Sequence, residues 1–284
     1  MFNRIRRALV RSNGAASYTS PEPINRDTLR EIAPSVFAAG AHDSRSQRYT
    51  YVPTIQIVDY LEQNGYGVYS VMQSGSRDES RRGHTKHMLR VRPVGQTLTV
   101  GQCHPEIVLV NSHDGSSAYR LMAGLFRLVC SNGLIVSQST FEDYRVRHNG
   151  NILADIAGAV EKMRHDLPAL GGRVEQFQHI ALTEAERHAF GRAALAVKYG
   201  TVEDAPIDAA TLTSPIRRED SEPTLWNTLN TVQEGLIRGG HRYRLQTDRG
   251  VQRRRTGAVG SVDGVSTINR AVWQLAEEMA RLKA

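Results

Sequence analysis

Cysteine is scarce. The chain has two, Cys103 and Cys130, too few for a disulfide framework or a four-ligand structural zinc site. Aromatic residues make up only 6% of the sequence, so stacking of bases on rings cannot be its main binding chemistry. No apolar run approaches the roughly 18–20 residues that span a bilayer. Met1–Arg11 is basic and partly apolar but lacks the hydrophobic core and cleavage pattern of a secretory leader. These absences point to a cytoplasmic protein with no membrane partner. A GxxxxGK[ST] phosphate loop is missing, which argues against an ATP-driven motor, and no paired acidic motif suggests a two-metal nuclease. His84 and His87 lie three apart and would point to opposite faces of a strand, a poor geometry for joint metal ligands. Cys103-His104 is adjacent rather than spaced. No catalytic constellation, metal site or cofactor is expected, and no internal repeat is visible.

What the chain does have is positive charge. Its 284 residues carry a net charge of +7 and a pI near 9.6, a balance that favours a polyanionic partner, of which nucleic acid is the commonest. With 40% hydrophobic and 23% charged residues it is otherwise ordinary globular material, long enough for one large or two small domains.

The stretch at 107–136 reads as strand, polar turn, helix, stop and strand. Ile107–Val110 is a β-branched run. Asn111, Ser112, His113 and Asp114 are residues that cap helices. Apolar positions at 118, 121, 122, 125 and 129 then share one face of a 3.6-residue period, predicting a helix over 115–131 that ends at Asn132-Gly133. On that helix Arg120 and Arg127, two turns apart, would share a side with Ser116, a set suited to phosphate. The same arginines could equally be solvated or paired with acids.

Upstream, residues 12–50 are irregular in composition, with one short helix expected at Asp27–Ile32. Ile55, Val58 and Leu61 predict a helix closed by Asn64-Gly65, and Tyr66–Gln73 alternates as a strand. A charged turn carrying Arg77, Arg81 and Arg82 leads into a strand over His84–Pro93, with Lys86, Arg90 and Arg92 on one face. That predicts a hairpin with a basic face, or else an edge guarded by cations. Thr97–Gly101 and Phe141–His148 are further strand candidates, the second adding Arg145 and Arg147. Downstream, helices are expected from Asn151, from Thr183 to Tyr199 behind a TEAE capping box, over 225–236, and over 265–282. His241–Arg255 holds six arginines, Arg253 and Arg254 among them, against only Asp248.

NSHDGSSAYRLMAGLFRLVCSNGLIV (111–136), VRH (146–148), LWNTLNTVQEGLIRGG (225–240) and INRAVWQLAEEM (268–279) resemble the phage/plasmid-like "domain of unknown function" proteins carried by mobile elements. More remotely, a helix leading into a basic hairpin, a third strand and a long helix is similar to the β-β-β-α core of single-strand annealing proteins. That resemblance implies rings that hold DNA in a basic groove.

The expected fold is α+β: an antiparallel sheet with a β-β-β-α-like core packed on the central helix, then a helical C-terminal region. The expected organisation is a basic arm and irregular lead-in over 1–50, an α+β core over 51–150 and helices over 151–284. The expected function is non-enzymatic binding of single-stranded DNA, extending to strand annealing for a plasmid or phage, by a ring-shaped or helical homo-oligomer. Its DNA contacts would be Arg77, Arg81, Arg82, Lys86, Arg90, Arg92, Ser116, Arg120, Arg127, Arg145, Arg147, Arg253 and Arg254. One alternative is a nucleic-acid hydrolase working through His113 and Asp114; another is a host-defence inhibitor that acts by binding protein.

Overall fold

The computed structural model describes residues 9–10, 14–45, 49, 51–95, 103–117, 119–127, 132–135, 144–145 and 152–284. In chain order the elements are β1 (Leu9–Val10), β2 (Ala16–Thr19), α1 (Arg26–Ile32), α2 (Thr54–Gln63), β3 (Tyr66–Gln73), β4 (His87–Pro93), β5 (Cys103–Asn111), β6 (Arg120–Arg127), β7 (Asn132–Ile135) and β8 (Tyr144–Arg145). Then come α3 (Ile152–His179), α4 (Glu184–Tyr199), α5 (Ala209–Thr213), α6 (Leu225–Arg238), β9 (Arg242–Thr247), β10 (Gly250–Arg255) and α7 (Val262–Leu282). Strands β1 to β7 lie side by side in sequence order, every pairing antiparallel, and β8 shares the far side of β6 with β7. The fold is α+β, with an antiparallel sheet followed by a helical C-terminal region. The two-stranded β9–β10 ribbon stands apart from the sheet.

One expectation is overturned. The helix predicted over 115–131 is not formed: Arg120–Arg127 is strand β6, paired along its length with β5. Residues 118 and 128–131 lie outside the described residues. The physical reason is that the sheet is covered on both faces. Leu121, Ala123 and Leu125 point into the main core beside Leu89, Val91, Ile107 and Leu109. Met122 points the other way, into a second cluster with Met88, Val108, Val110, Ile135, Val262 and Val265. A strand apolar on both sides shows no period of two, and a continuous apolar run reads as easily as a helix. On a strand, residues seven apart face opposite sides, so Arg120 and Arg127 share no stripe.

The second face is closed by the N-terminal half of α7. Val262 and Val265 cap the apolar cluster, the Lys86 ammonium meets Asp263 at 2.5 Å, and the backbone N–H of Ile135 donates to Asn269 Oδ1. A bulge in β3 between Val68 and Ser70 precedes this region, and the Tyr69 ring lies 4.0 Å under the Arg92 guanidinium. The main core draws on Leu29 and Ile32 of α1, Ile57 and Leu61 of α2, and the inner faces of α3, α4, α6 and α7. Residues from all three sequence segments therefore share one core, and β2 and α1 give the lead-in regular structure.

Local signals in the helical half held. Thr183 Oγ1 accepts from the Glu186 N–H at 3.2 Å while Glu186 Oε2 accepts from the Thr183 N–H at 2.7 Å, a reciprocal capping box. Thr183→Ala is expected to cost about 1 kcal/mol, read as a lower urea midpoint at unchanged m-value. An unchanged midpoint would mean the α4 start is held by its neighbours alone.

Candidate nucleic-acid interface

The cations expected to hold DNA fall into three groups. The first is turned inward. Arg90 Nη1 donates to Glu106 Oε2 at 2.8 Å, and Arg92 Nε lies 3.4 Å from Glu106 Oε1, with the Glu106 side chain fully buried. Gly124 sits directly opposite Glu106 in the β5–β6 register, where a Cβ would come within 2.7 Å of Val108 Cγ2 and 3.5 Å of Arg90 Nη1. The bare position leaves room for the ion cluster. Arg127 forms a buried ion pair with Asp220, on the segment before α6. Asp220 also lies 3.9 Å from Arg217, which chelates Glu234 of α6 together with Arg238. Burial alone would raise the Glu234 carboxyl, but these two guanidinium groups hold it below the usual carboxylate range. With Lys86 paired to Asp263, the basic face predicted for β4 is an interior one, and Lys86, Arg90, Arg92 and Arg127 brace the sheet instead of lining a groove.

The second group is dispersed, with Arg81, Arg82 and Arg120 half-buried. Arg81 and Arg82 pair with Asp78 and Glu79 at 3.2 and 2.7 Å, and Arg77 is exposed. Arg120 Nη2 reaches Ser117 Oγ at 3.4 Å; exposed Ser116 donates its N–H to Asp114 Oδ1 at 2.9 Å. Arg145 stands on β8 opposite Arg120, and Arg147 lies outside the described residues.

The third group is the β9–β10 ribbon, which carries the arginines of 241–255. In its register Arg244 faces Arg253 and Arg242 faces Arg255. All four are exposed and lie on one face with Gln246 and Val251; Tyr243, Leu245, Gln252 and Arg254 take the other. Arg249 occupies the tip. Six arginines against Asp248 place five of the chain's seven net positive charges here. Among the described residues no carboxylate pairs with any of these six. Guanidinium groups directly opposed across an antiparallel pair repel. The ribbon's root is firm: Gly240 N–H donates to the Thr256 carbonyl at 2.8 Å and Thr256 N–H to the His241 carbonyl at 2.9 Å. Lys198, lowered in pKa by burial, donates to the carbonyls of Leu236 and Gly257 at 2.6 and 3.1 Å. Gly239 is required at this root, since its φ is +64° and a Cβ would lie 2.5 Å from the Thr256 carbonyl oxygen.

A separate polar cluster lies beneath the 111–117 turn. His87 Nδ1 is 3.2 Å from the Thr85 carbonyl, which only accepts, so that nitrogen carries the ring proton. Ser35 Oγ, 2.9 Å from the same nitrogen, gives its own proton to Gln73 Oε1 at 2.6 Å. Thr54 Oγ1 then donates to His87 Nε2 at 2.9 Å and accepts from Asn111 Nδ2 at 2.9 Å and from His113 Nε2 at 3.3 Å. This order of protons puts the His113 ring proton on Nε2. Burial, reinforced by the neighbouring histidine, pushes His87 down to about 3; burial, then His84, pushes His113 down to about 4. Both rings are neutral near pH 7. Asp114, which burial alone would raise, is held low by hydrogen bonds from Ser116 and Ser112. Among the described residues no group of three His, Cys, Asp or Glu side chains is placed to hold a metal ion, and no helix is long and apolar enough to cross a membrane.

Residues 41–273 match a family described as Domain of unknown function (DUF932). The chain is similar to the UPF0380 protein YafZ of Escherichia coli (strain K12), 40% identical over 262 residues covering 90% of this chain and 92% of the relative. It is 38% identical over 257 residues to the UPF0380 protein YfjQ of the same organism, with the same coverage of each chain. No solved structure matches it.

Proposed function

The chain belongs to the DUF932 family, whose description carries no activity, and from its own surface we propose that it binds nucleic acid through the β9–β10 ribbon. The observation that carries the reading is the pair of like-charged contacts across that ribbon, Arg242 with Arg255 and Arg244 with Arg253, exposed and without carboxylate partners among the described residues. Such a surface costs stability when bare, and a row of phosphates relieves the repulsion. Single-stranded DNA, the substrate favoured from the sequence, and duplex DNA present this same backbone chemistry. Strand annealing further needs several protomers to present one strand, so a strict monomer by sedimentation, with and without DNA, removes that extension.

The test is fluorescence anisotropy with labelled single-stranded and duplex oligonucleotides between 50 and 200 mM salt. Each phosphate neutralised contributes about −0.7 on a single strand or −0.9 on a duplex to the slope of log affinity against log salt. The intact chain should show a slope steeper than about −2. Replacing Arg242, Arg244, Arg253 and Arg255 by Ala should lower affinity by a factor on the order of 100, with the melting temperature unchanged or slightly raised as the repulsion goes. Equal binding by that variant would end the ribbon's role. Adding magnesium to the same mixtures detects cleavage, which this reading does not expect.

A further inference from the structure

We propose that the outward face of the ribbon reads duplex DNA in the major groove. This inference rests on the nucleic-acid reading above and names its substrate class. That face consists of Arg242, Arg244 and Gln246 on β9 and Val251, Arg253 and Arg255 on β10. All six are exposed, Val251 at 60%. A surface that only tracked phosphates would need cations alone. Here the arginines are joined by a carboxamide at the ribbon's outer end, beside a Val that is one of few large apolar side chains exposed on the described surface. Those three side-chain types match the edges displayed in the major groove. A guanidinium forks onto the O6 and N7 of guanine, a glutamine amide pairs with the N6 and N7 of adenine, and an aliphatic group meets the thymine methyl.

The shape agrees. Two strands about 4.8 Å apart with their side chains fit a groove about 12 Å wide, and six residues extend about 20 Å along it. Among the described residues the ribbon pairs with no strand of the main sheet, so no neighbouring strand there covers its outward face. The opposite face leans on the protein, where the Tyr243 phenol lies close enough to Tyr199 of α4 to help raise its pKa, after burial. Arg249 at the tip remains to meet a phosphate that borders the groove. Arg254 is held by two hydrogen bonds to Gln252 Oε1, at 2.8 and 3.2 Å.

The experiment uses the full chain and three DNA probes: a mixed-sequence duplex selected for tightest binding from a random pool, either strand of it alone, and the same duplex with 7-deazaguanine in place of guanine. The duplex should bind at least tenfold more tightly than either strand. Methyl green, which occupies the major groove, should displace the protein, and distamycin, in the minor groove, should not. Removing the guanine N7 acceptors should weaken binding about fivefold or more. Arg244→Lys and Arg253→Lys keep the charge but lose the fork, so they should abolish the duplex preference. Equal affinity for strand and duplex, competition by distamycin, or indifference to 7-deazaguanine would overturn groove reading and leave backbone binding standing. Failure to bind any of the three probes would remove the nucleic-acid reading itself.

Discussion

Arg127→Met should destabilise the protein by about 3–5 kcal/mol, the usual cost of leaving one partner of a buried ion pair uncompensated. The change leaves the Asp220 carboxylate, its side chain 2% exposed, with Arg217 at 3.9 Å as its remaining ion partner among the described residues. Adding Asp220→Leu should restore most of the loss, because a well-packed apolar pair of similar volume removes the stranded charge. Urea melts of the single and double variants measure both quantities. A single variant costing under 1 kcal/mol would show that the pair does not anchor the end of β6 to the segment before α6. DNA affinity should follow none of these changes, since the pair lies far from solvent.

The second large effect is acid instability. His87 and His113 are buried and neutral, with pKa values near 3 and 4 against an ordinary 6.5. Below pH 6.5 the unfolded chain takes up two protons that the folded chain refuses, so stability falls as pH falls. Each ring contributes about 1.4 kcal/mol per pH unit, so the pair removes about 2.7 kcal/mol per unit between pH 6.5 and 4. Between pH 4 and 3 only His87 still contributes, and above pH 6.5 the full stability is present. A loss of this size rivals the whole stability of an ordinary domain. Depressed carboxylates such as Asp114 and Glu234 act in the same direction at lower pH. His113→Gln isolates the effect: its slope between pH 6.5 and 4 should be shallower by about 1.4 kcal/mol per unit. Identical slopes for the variant and the natural chain would mean that His113 is not held neutral by the fold.

The sheet, the helical half and several boundaries could be read from the sequence because they depend on neighbours along the chain. Tyr66–Gln73 alternates, and Thr183 and Glu186 sit three apart because a capping box is a local object. What escaped depends on partners far away in sequence. The acids that neutralise Arg90, Arg92 and Arg127 are Glu106 and Asp220, the latter 93 positions from Arg127. No spacing rule connects them, so buried cations looked like surface ones. Leu121 to Leu125 lost its strand signature because α7, contributed by the last part of the chain, covers the face opposite the main core. The ribbon was legible in principle. Arg242, Tyr243, Arg244 and Leu245 alternate polar and apolar up to the two-residue turn Asp248-Arg249, which Gly250 follows at φ +99°.

The closure of the sheet by α7 also sets an order of events during synthesis. Strands β3 to β6 pair with their sequence neighbours, so their partners are all present once β6 has been made. Val262 and Val265, which cover Met88, Val108, Val110 and Met122, are made about 140 residues after β6. At a ribosome's pace of about 5–20 residues per second, that apolar strip waits for some 7–28 seconds without its cover. A nascent chain arrested before residue 262 presents a sheet whose strands are paired but greasy on one side, a natural client for a holdase chaperone.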